Sequence, residues 1–230
     1  MFYSYELWIA YRYLKARRDD GFISIVSWFS LIGISLGVAT LIIVMSVMNG
    51  FRDELLTRII GLNGHATLYL DEKDISTDNY LNIQNTLFNF PEITDVSGLV
   101  ESTVMLTNND INRGVVVKGV SVNELIKNNL LMENIDEETI NLFKQNNSII
   151  MGNRLSSNLK INIGDSIQLI APTGTNTPFG SAPSAKNFIY AGSFDVGMYE
   201  YDSSVIFMQI EDLREFVGVS KNHIDLIEIK

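Results

Sequence analysis

The chain has 230 residues, a formal net charge of −10 at pH 7 and no cysteine. The acidic balance argues against nucleic-acid binding, and the absence of cysteine excludes disulfides and thiol chemistry. A domain of this size can bury enough apolar surface to fold without disulfide bridges.

Residues 21–48 carry no charged side chain. A bilayer core about 30 Å thick is spanned by about 20 apolar residues, so this run is long enough to cross it. It is too long for the apolar region of a signal peptide, and no A-x-A-like cleavage site follows it. The sequence therefore predicts a transmembrane helix over residues 21–50. The alternative is a buried core helix of a soluble protein.

Basic residues flank this run mainly on its N-terminal side: Arg12, Lys15, Arg17 and Arg18. An excess of Lys and Arg marks the cytoplasmic side of a membrane segment. We therefore expect residues 1–20 in the cytoplasm, as a short interfacial segment or a plain helical lead-in, and residues 49–230 outside the cytoplasm.

Small residues mark one face of the predicted membrane helix. Ser30, Gly33 and Gly37 fall on one helical stripe, and Gly33 and Gly37 form a small-xxx-small motif. Helices associate in lipid through close backbone approach at such residues. The stripe predicts packing against other membrane helices, although a lone anchor could also carry such glycines.

Beyond Gly50 the pattern alternates between short strands and short helices. We expect a fold of the α+β class. Strands are predicted where β-branched and aromatic residues lie between turn-forming residues: His65–Leu70, Val96–Thr107, Arg113–Val120, Ser148–Gly152, Ser166–Ile170, Phe188–Phe194, Ser203–Met208 and His223–Lys230. Helices are predicted from capping residues and apolar spacing: one between Ser76 and Pro91, Val122–Asn128, Glu137–Gln145, a short one after Gly152, and Ile210–Val217.

The segment 171–187 interrupts this alternation. It holds three of the four prolines and one large apolar residue, Phe179, between Pro178 and Gly180. Proline restricts the backbone, so such a loop loses less conformational entropy when it binds a partner. The segment therefore predicts a projecting loop whose Phe179 enters a pocket on a partner. The alternative is a surface loop whose Phe179 folds back onto its own domain.

Residues that could support catalysis or metal binding are few. His65 and His223 lack the spacing of metal ligands, so they are interpreted as ordinary residues at strand starts. Glu200 and Asp202 are predicted to lie in a solvated loop rather than in a carboxylate pair. We expect no catalytic site, no metal site and no cofactor in this chain.

Several segments together resemble one known family. Ile23–Phe51, Gly61–His65, Ile149–Leu155, Phe188–Phe194 and Gly197–Asp202 are similar, in the same order, to LolC/LolE-type permeases of the MacB/FtsX-like group. The resemblance implies a membrane subunit of an ABC transporter in the bacterial inner membrane, with residues 49–230 in the periplasm. Such subunits extract acylated lipoproteins for sorting to the outer membrane.

The resemblance also implies partners. A LolD-type ATPase would bind and hydrolyse ATP, a second LolC/LolE-type subunit would complete the membrane part, and a LolA-type periplasmic carrier would accept the lipoprotein. LolC-type members carry a loop called the Hook that captures the carrier, LolE-type members lack it, and a LolF-type protein combines both roles. Here the Hook corresponds to six residues: Thr177, Pro178, Phe179, Gly180, Pro183 and Lys186. From the family architecture, Ile32, Leu36 and Ile43 border the acyl-chain cavity.

The family's architecture implies a division of the exported part. Residues 51–100 would form the first half of a porter-like subdomain and residues 101–218 a strand-rich Sabre-like subdomain with the Hook at 171–187. Residues 219–230 would return to the porter-like part. Because family members have four membrane helices and one is visible here, we expect a fragment that does not transport alone. The alternative function is a single-pass sensor or binding module with an exported domain.

Overall fold

A computed structural model describes residues 4–14, 21–69, 77–108, 111–172, 176–177 and 180–230. The predictions for Lys15, Arg17, Arg18, Pro178 and Phe179 therefore lie outside the described residues. The chain divides into two compact units, Met1–Leu56 and Thr57–Lys230, which are described separately.

The first unit is helical. Helix α1 spans Ser4–Leu14, and helix α2 begins at Gly21 and ends at Asn63. The segment Ile25–Asn63 is long and apolar enough to cross a membrane, and its most apolar stretch is not buried in the protein. This exposure argues against a buried core helix, and the membrane-helix prediction stands by length and composition.

Helix α2 continues beyond residue 50, where the apolar run had suggested that it stops. Residues 51–60 alternate charged and apolar side chains at helical spacing and contain no glycine or proline, so nothing interrupts the helix there. Gly64 then ends it with a left-handed backbone conformation, φ 72°.

The second unit contains ten strands and seven helices among its described residues. The strands are β1 Ala66–Tyr69, β2 Val96–Asn108, β3 Ile111–Val120, β4 Ser148–Gly152, β5 Ser166–Ala171, β6 Asn176–Thr177, β7 Gly180–Ser181, β8 Ser184–Phe194, β9 Val205–Gln209 and β10 Leu226–Ile229. The helices are α3 Thr77–Leu87, α4 Val122–Lys127, α5 Asn129–Met132, α6 Glu137–Phe143, α7 Asn153–Leu159, α8 Tyr199–Ser204 and α9 Ile210–Val217.

The main sheet has the strand order β1-β10-β2-β3-β9-β4-β8-β5, and β5 also pairs with β2. The last six strands therefore form a closed ring. Strand β2 belongs to both parts: Val96–Leu99 pairs with β10, whereas Val100–Asn108 pairs with β3. The branch point between Leu99 and Val100 lies next to the predicted subdomain boundary after residue 100; the division into porter-like and Sabre-like subdomains stays a prediction.

Two apolar cores lie on opposite faces of this sheet. Alternating residues of β2 and β3, such as Val104 and Val117, pack on one face against Leu213 and Phe216 of α9. The Phe216 ring meets the Phe188 ring edge-on, with centroids 5.2 Å apart. On the other face the intervening residues pack with α4, α5, α6 and the end of α2. The predicted α+β class is confirmed, together with the N-terminal apolar helix.

The segment before β9 differs from its prediction. Residues 199–204 form helix α8 instead of a solvated loop, so β9 begins at Val205 rather than at Ser203. Asp202 is only 1% exposed, whereas Glu200 is exposed. The burial of a carboxylate in this helix has a specific cause, described with the neighbouring site below.

Candidate functional site

The described residues of the segment 171–187 extend a β-hairpin. Strands β5 and β8 pair in antiparallel register from Ser166 opposite Ile189 to Ala171 opposite Ser184. Beyond them, Thr177 of β6 pairs with Gly180 of β7 in a separate two-stranded ladder. This hairpin loop is therefore more regular than its turn-forming composition indicates.

The structure brings together some of the predicted loop residues. Thr177 and Gly180 are direct partners, and Pro183 is exposed beside the start of β8. Lys186 lies further back, opposite Leu169. Pro178 and Phe179, which connect the two short strands, are outside the described residues.

Lys186 has partners within its own domain. Its Nζ lies 3.3 Å from the Glu215 Oε2 atom and 5.8 Å from the centroid of the Phe188 ring. The side chains of Lys186 and Glu215 are 29% and 74% exposed. An ion pair this accessible to water contributes at most about 1 kcal/mol. The contact between Lys186 and Glu215 therefore costs little to break.

In the first unit, the predicted membrane-helix residues are all exposed. No other group lies within 4 Å of the place where a Cβ would stand on Gly33 or Gly37. Ser30 is exposed, as are the three residues predicted to border the acyl-chain cavity, Ile32, Leu36 and Ile43. The packing and cavity assignments of these six residues stay predictions.

A second site of interest lies where α2 ends. We call it the helix junction: the last two turns of α2, Thr57–Asn63, with their polar partners Lys118, Asn128, Val196 and Tyr201. Arg58 Nη1 donates to the Val196 carbonyl, and Asn128 Nδ2 donates to the Gly61 carbonyl at 3.0 Å.

Asn63, the last residue of α2, connects two further elements. Its Oδ1 accepts a hydrogen bond of 2.8 Å from Lys118 Nζ on β3, and its Nδ2 donates to the Tyr201 hydroxyl on α8. Leu62 beside it is buried in the apolar core. Sequence analysis missed this site, although a lysine in the apolar strand VVVKGV could have signalled it.

Charges at the helix junction are largely removed from water. Lys118 Nζ lies 3.4 Å from Glu228 Oε1 and 3.7 Å from Glu101 Oε2. The Lys118 and Glu228 side chains are 12% and 9% exposed. Burial raises the pKa of Glu228, and the neighbouring Lys118 charge opposes that rise. Glu101, the second carboxylate beside Lys118, is more exposed to water, at 38%.

Two cavities flank the helix junction. One of about 380 Å³ is lined by Asn63, Lys118, Tyr201 and Glu228 among others. The second, of about 410 Å³, is lined by Leu62, Lys118, Asn128 and Glu228 among others. Lys118 and Glu228 border both spaces.

The buried Asp202 supports the same junction. Its Oδ1 accepts a 3.0 Å hydrogen bond from the backbone N–H of Val196, whose carbonyl accepts from Arg58. Burial raises the pKa of Asp202, whereas the hydrogen bond from the Gly197 N–H lowers the pKa of the neighbouring Asp195. The carboxylate is therefore buried because it holds the loop that contacts α2, and the prediction of a solvated Asp202 is wrong.

The two histidines lie before strands. His65 precedes β1, and His223 Nε2 lies 2.7 Å from Asp225 Oδ1. Among the described residues, no three or more His, Asp or Glu side chains are grouped so that they could hold a metal ion.

The comparisons with known proteins agree on one family. Residues 27–223 match the MacB-like periplasmic core domain. The chain is 33% identical over 224 residues to the lipoprotein-releasing system transmembrane protein LolC of Neisseria meningitidis, covering 95% of this chain and 52% of that protein. It is 29% identical over 164 residues to LolE of Haemophilus influenzae, covering 70% of this chain and 39% of that protein.

Two solved structures are also similar. The extracellular domain of the ABC-type transporter YknZ gives a TM-score of 0.44 at 12% identity, covering 71% of this chain and 81% of that one. The periplasmic region of MacB from Actinobacillus actinomycetemcomitans gives 0.42 at 13% identity, covering 76% and 77%. The chain spans about half the length of the curated LolC proteins that it matches. It belongs to the family of the MacB-like periplasmic core domain, and its relatives confirm the resemblance to the N-terminal portion of a LolC/LolE-type permease.

Proposed function

We propose that this chain is part of a membrane subunit of an ABC transporter that extracts lipoproteins from the bacterial inner membrane. Its similarity to proteins named LolC and LolE, its MacB-like domain and its apolar helix α2 support this role. ATP is bound and hydrolysed by a separate LolD-type subunit, and a second LolC/LolE-type subunit completes the membrane part. The chain itself is not an enzyme and needs no cofactor.

The hairpin loop 171–187 is the proposed docking site for a LolA-type carrier. The observation that supports this assignment is its construction: among the described residues between Ala171 and Ser184, β6 and β7 pair with each other in a ladder separate from the main sheet. A loop built this way can present Pro178 and Phe179 to a partner without disturbing the sheet.

In the membrane, we assign the N-terminus to the cytoplasm and residues 49–230 to the periplasm. The stripe of Ser30, Gly33 and Gly37 packs against partner helices, and Ile32, Leu36 and Ile43 border the cavity for the acyl chains of the lipoprotein. Gly33→Leu should reduce co-purification of the second permease subunit, because a branched side chain blocks close helix approach. Undiminished co-purification would place the stripe against lipid.

A labelling experiment tests the orientation. The chain contains no cysteine, so an introduced one is unique. In intact spheroplasts, a membrane-impermeant maleimide should modify Ser181→Cys and leave Ser4→Cys unmodified. The reverse pattern would invert the assignment.

Truncation of Phe179 tests the carrier-binding loop. The full-length protein in nanodiscs would be titrated calorimetrically with a LolA-type carrier. Phe179→Ala should weaken binding by about 2 kcal/mol, some thirtyfold, because a buried aromatic anchor dominates such contacts. The matched control is Ile163→Ala, which removes an exposed apolar side chain at the opposite end of the same hairpin.

The melting temperature separates the two interpretations of Phe179. Wild-type affinity of Phe179→Ala with an unchanged melting temperature would refute the docking assignment. Wild-type affinity with a lowered melting temperature would instead support a Phe179 that packs against its own domain.

A further inference from the structure

The last turn of α2 is held by one unusual group, the buried ammonium of Lys118. It lies near the end of β3, its side chain is 12% exposed, and its Nζ donates to Asn63 Oδ1 at 2.8 Å. On its other side stand Glu228 and Glu101, at 3.4 and 3.7 Å. Asn63 Nδ2 in turn donates a hydrogen bond to the Tyr201 hydroxyl. A single lysine thereby connects β2, β3, β10, α8 and the end of α2.

Stability alone does not explain this cluster. The free energy lost when an ammonium and a carboxylate leave water offsets much of the free energy gained from their attraction. Well-packed apolar residues often stabilise a fold equally well. The best-attested role of buried polar groups is to fix the register of one element against another. Apolar burial gives the end of α2 few fixed contacts, since Leu62 is the only buried residue of its last two turns, Thr57–Asn63. Polar contacts are therefore important for its position.

The geometry shows what another register would lose. Turning an α-helix by one residue rotates it by about 100°. Such a rotation would bring Leu62 toward Lys118 and take the Asn63 amide away from both Lys118 and Tyr201. Cavities of about 380 and 410 Å³ border Lys118 and Glu228, whereas Leu130 packs closely against Gly61. On the side of the cavities, the register of this turn therefore depends on the polar contacts of Asn63.

We propose that Lys118 is a positioning residue, which fixes the rotational register of the last turn of α2 through Asn63. Glu228 and Glu101 hold the ammonium in place on the sheet, and Tyr201 holds the far side of the Asn63 amide. The effect on lipoprotein release rests on the proposed function; the effect on register does not.

Electron–electron distance measurements test the proposal on the full-length protein in nanodiscs. Spin labels would be attached to Ile59→Cys on α2 and Gln168→Cys on β5, both exposed sites in a chain without native cysteine. The variant Lys118→Met/Glu228→Gln removes both shielded charges together, so the only carboxylate that loses its lysine is Glu101, which is 38% exposed to water. We expect its distance distribution to broaden about twofold or to divide into two populations, while the melting temperature stays within about 5 °C of wild type.

Three further variants make the outcome decisive. Asn63→Leu removes the acceptor but keeps the ion pair, and should broaden the distribution in the same way. Lys118→Arg keeps a donor and should restore a narrow one. The matched control, Arg214→Met/Glu211→Gln, removes another ion pair with one shielded and one exposed member, on α9, and should leave the distribution unchanged.

A narrow wild-type distribution in both Lys118→Met/Glu228→Gln and Asn63→Leu would overturn the proposal. If the first variant fails to fold, Asn63→Leu alone decides. Reconstituted lipoprotein release provides a separate measurement. Broadened distances together with no release activity in the wild type would refute the proposed function and leave the positioning role intact.

Discussion

The hairpin loop and the helix junction each contain a lysine ion pair, and the two pairs differ in how far they are exposed to water. In the loop, Lys186 is paired with Glu215, a side chain that is 74% exposed, so water competes for the contact. At the junction, Lys118 is paired with Glu228, a side chain that is 9% exposed. An exposed pair costs little to break. A buried pair is costly to break and suits a contact that must keep one geometry.

The same contrast holds for the backbone around each site. The short strands of the hairpin loop pair only with each other, from Asn176 opposite Ser181 to Thr177 opposite Gly180. At the junction, side chains from β3, from Asn128 between α4 and α5, and from α8 contact the end of α2. We therefore expect substitutions that crowd the backbone or leave a charge unpaired near the junction to change stability, and substitutions in the loop to change binding without changing stability.

The largest effect is expected at Gly152, which lies against the backbone of Asp202. A Cβ on Gly152 would collide with the carbonyl carbon and oxygen and the Cα of Asp202. Backbone atoms cannot move aside as a flexible side chain does, so Gly152→Ala should lower the free energy of unfolding by about 3 kcal/mol. Urea denaturation followed by near-ultraviolet circular dichroism would measure it.

Gly114→Ala is the matched control, because nothing lies within 4 Å of a Cβ at that position in β3. It should stay within about 0.5 kcal/mol of wild type. Equal stability of the two variants would contradict the close packing of β4 against α8, and with it the contrast between the two regions.

A smaller effect is expected in the hairpin loop. Pro178→Gly should weaken carrier binding by about 1 kcal/mol, or some fivefold, because the freed backbone loses more entropy on docking. Its melting temperature should equal that of wild type. A lowered melting temperature with unchanged affinity would show that the loop contributes to the fold rather than to binding.

The smallest effect is a change of stability with pH that depends on Glu228. Its pKa in the folded protein is raised above the ordinary value of 4.5 by burial. As the pH rises from 4.5 through the raised pKa, the unfolded chain ionises first, so the folded state loses the stability that Glu228 contributes at lower pH.

Glu228→Gln removes this titration. The free energy of unfolding of wild type minus that of the variant should therefore fall as the pH rises above 4.5. Urea denaturation at a series of pH values measures the difference, with Glu92→Gln, for which no such burial applies, as the control. A difference that rises with pH would mean that the attraction of Lys118 outweighs burial.

The regular parts of the fold could be predicted because each has a local signal. Ile210–Val217 was predicted with both its ends, since apolar residues at helical spacing are followed by Gly218. The strand Val96–Asn108 was predicted to within one residue from its alternating pattern. Such signals lie within a few residues of the element that they specify.

The helix junction could not be predicted in the same way. Asp202 was interpreted as solvated because acidic residues between Gly197 and a strand usually face water. Its burial depends on the Val196 N–H, and the partnership of Lys118 with Asn63 and Glu228 joins residues far apart in sequence. The continuation of α2 was also missed, because the end of an apolar run marks the edge of a membrane rather than the end of a helix.

Strand β2 has a consequence for the order in which the domain assembles. Its second part pairs with β3 directly after a short turn. In its first part, Leu99 pairs with Leu226, which lies near the opposite end of the described chain. Contacts between distant residues form late, because closing the intervening loop costs entropy. During synthesis, the ring can therefore close before β10 exists, and the first four residues of β2 remain an unpaired edge until it arrives.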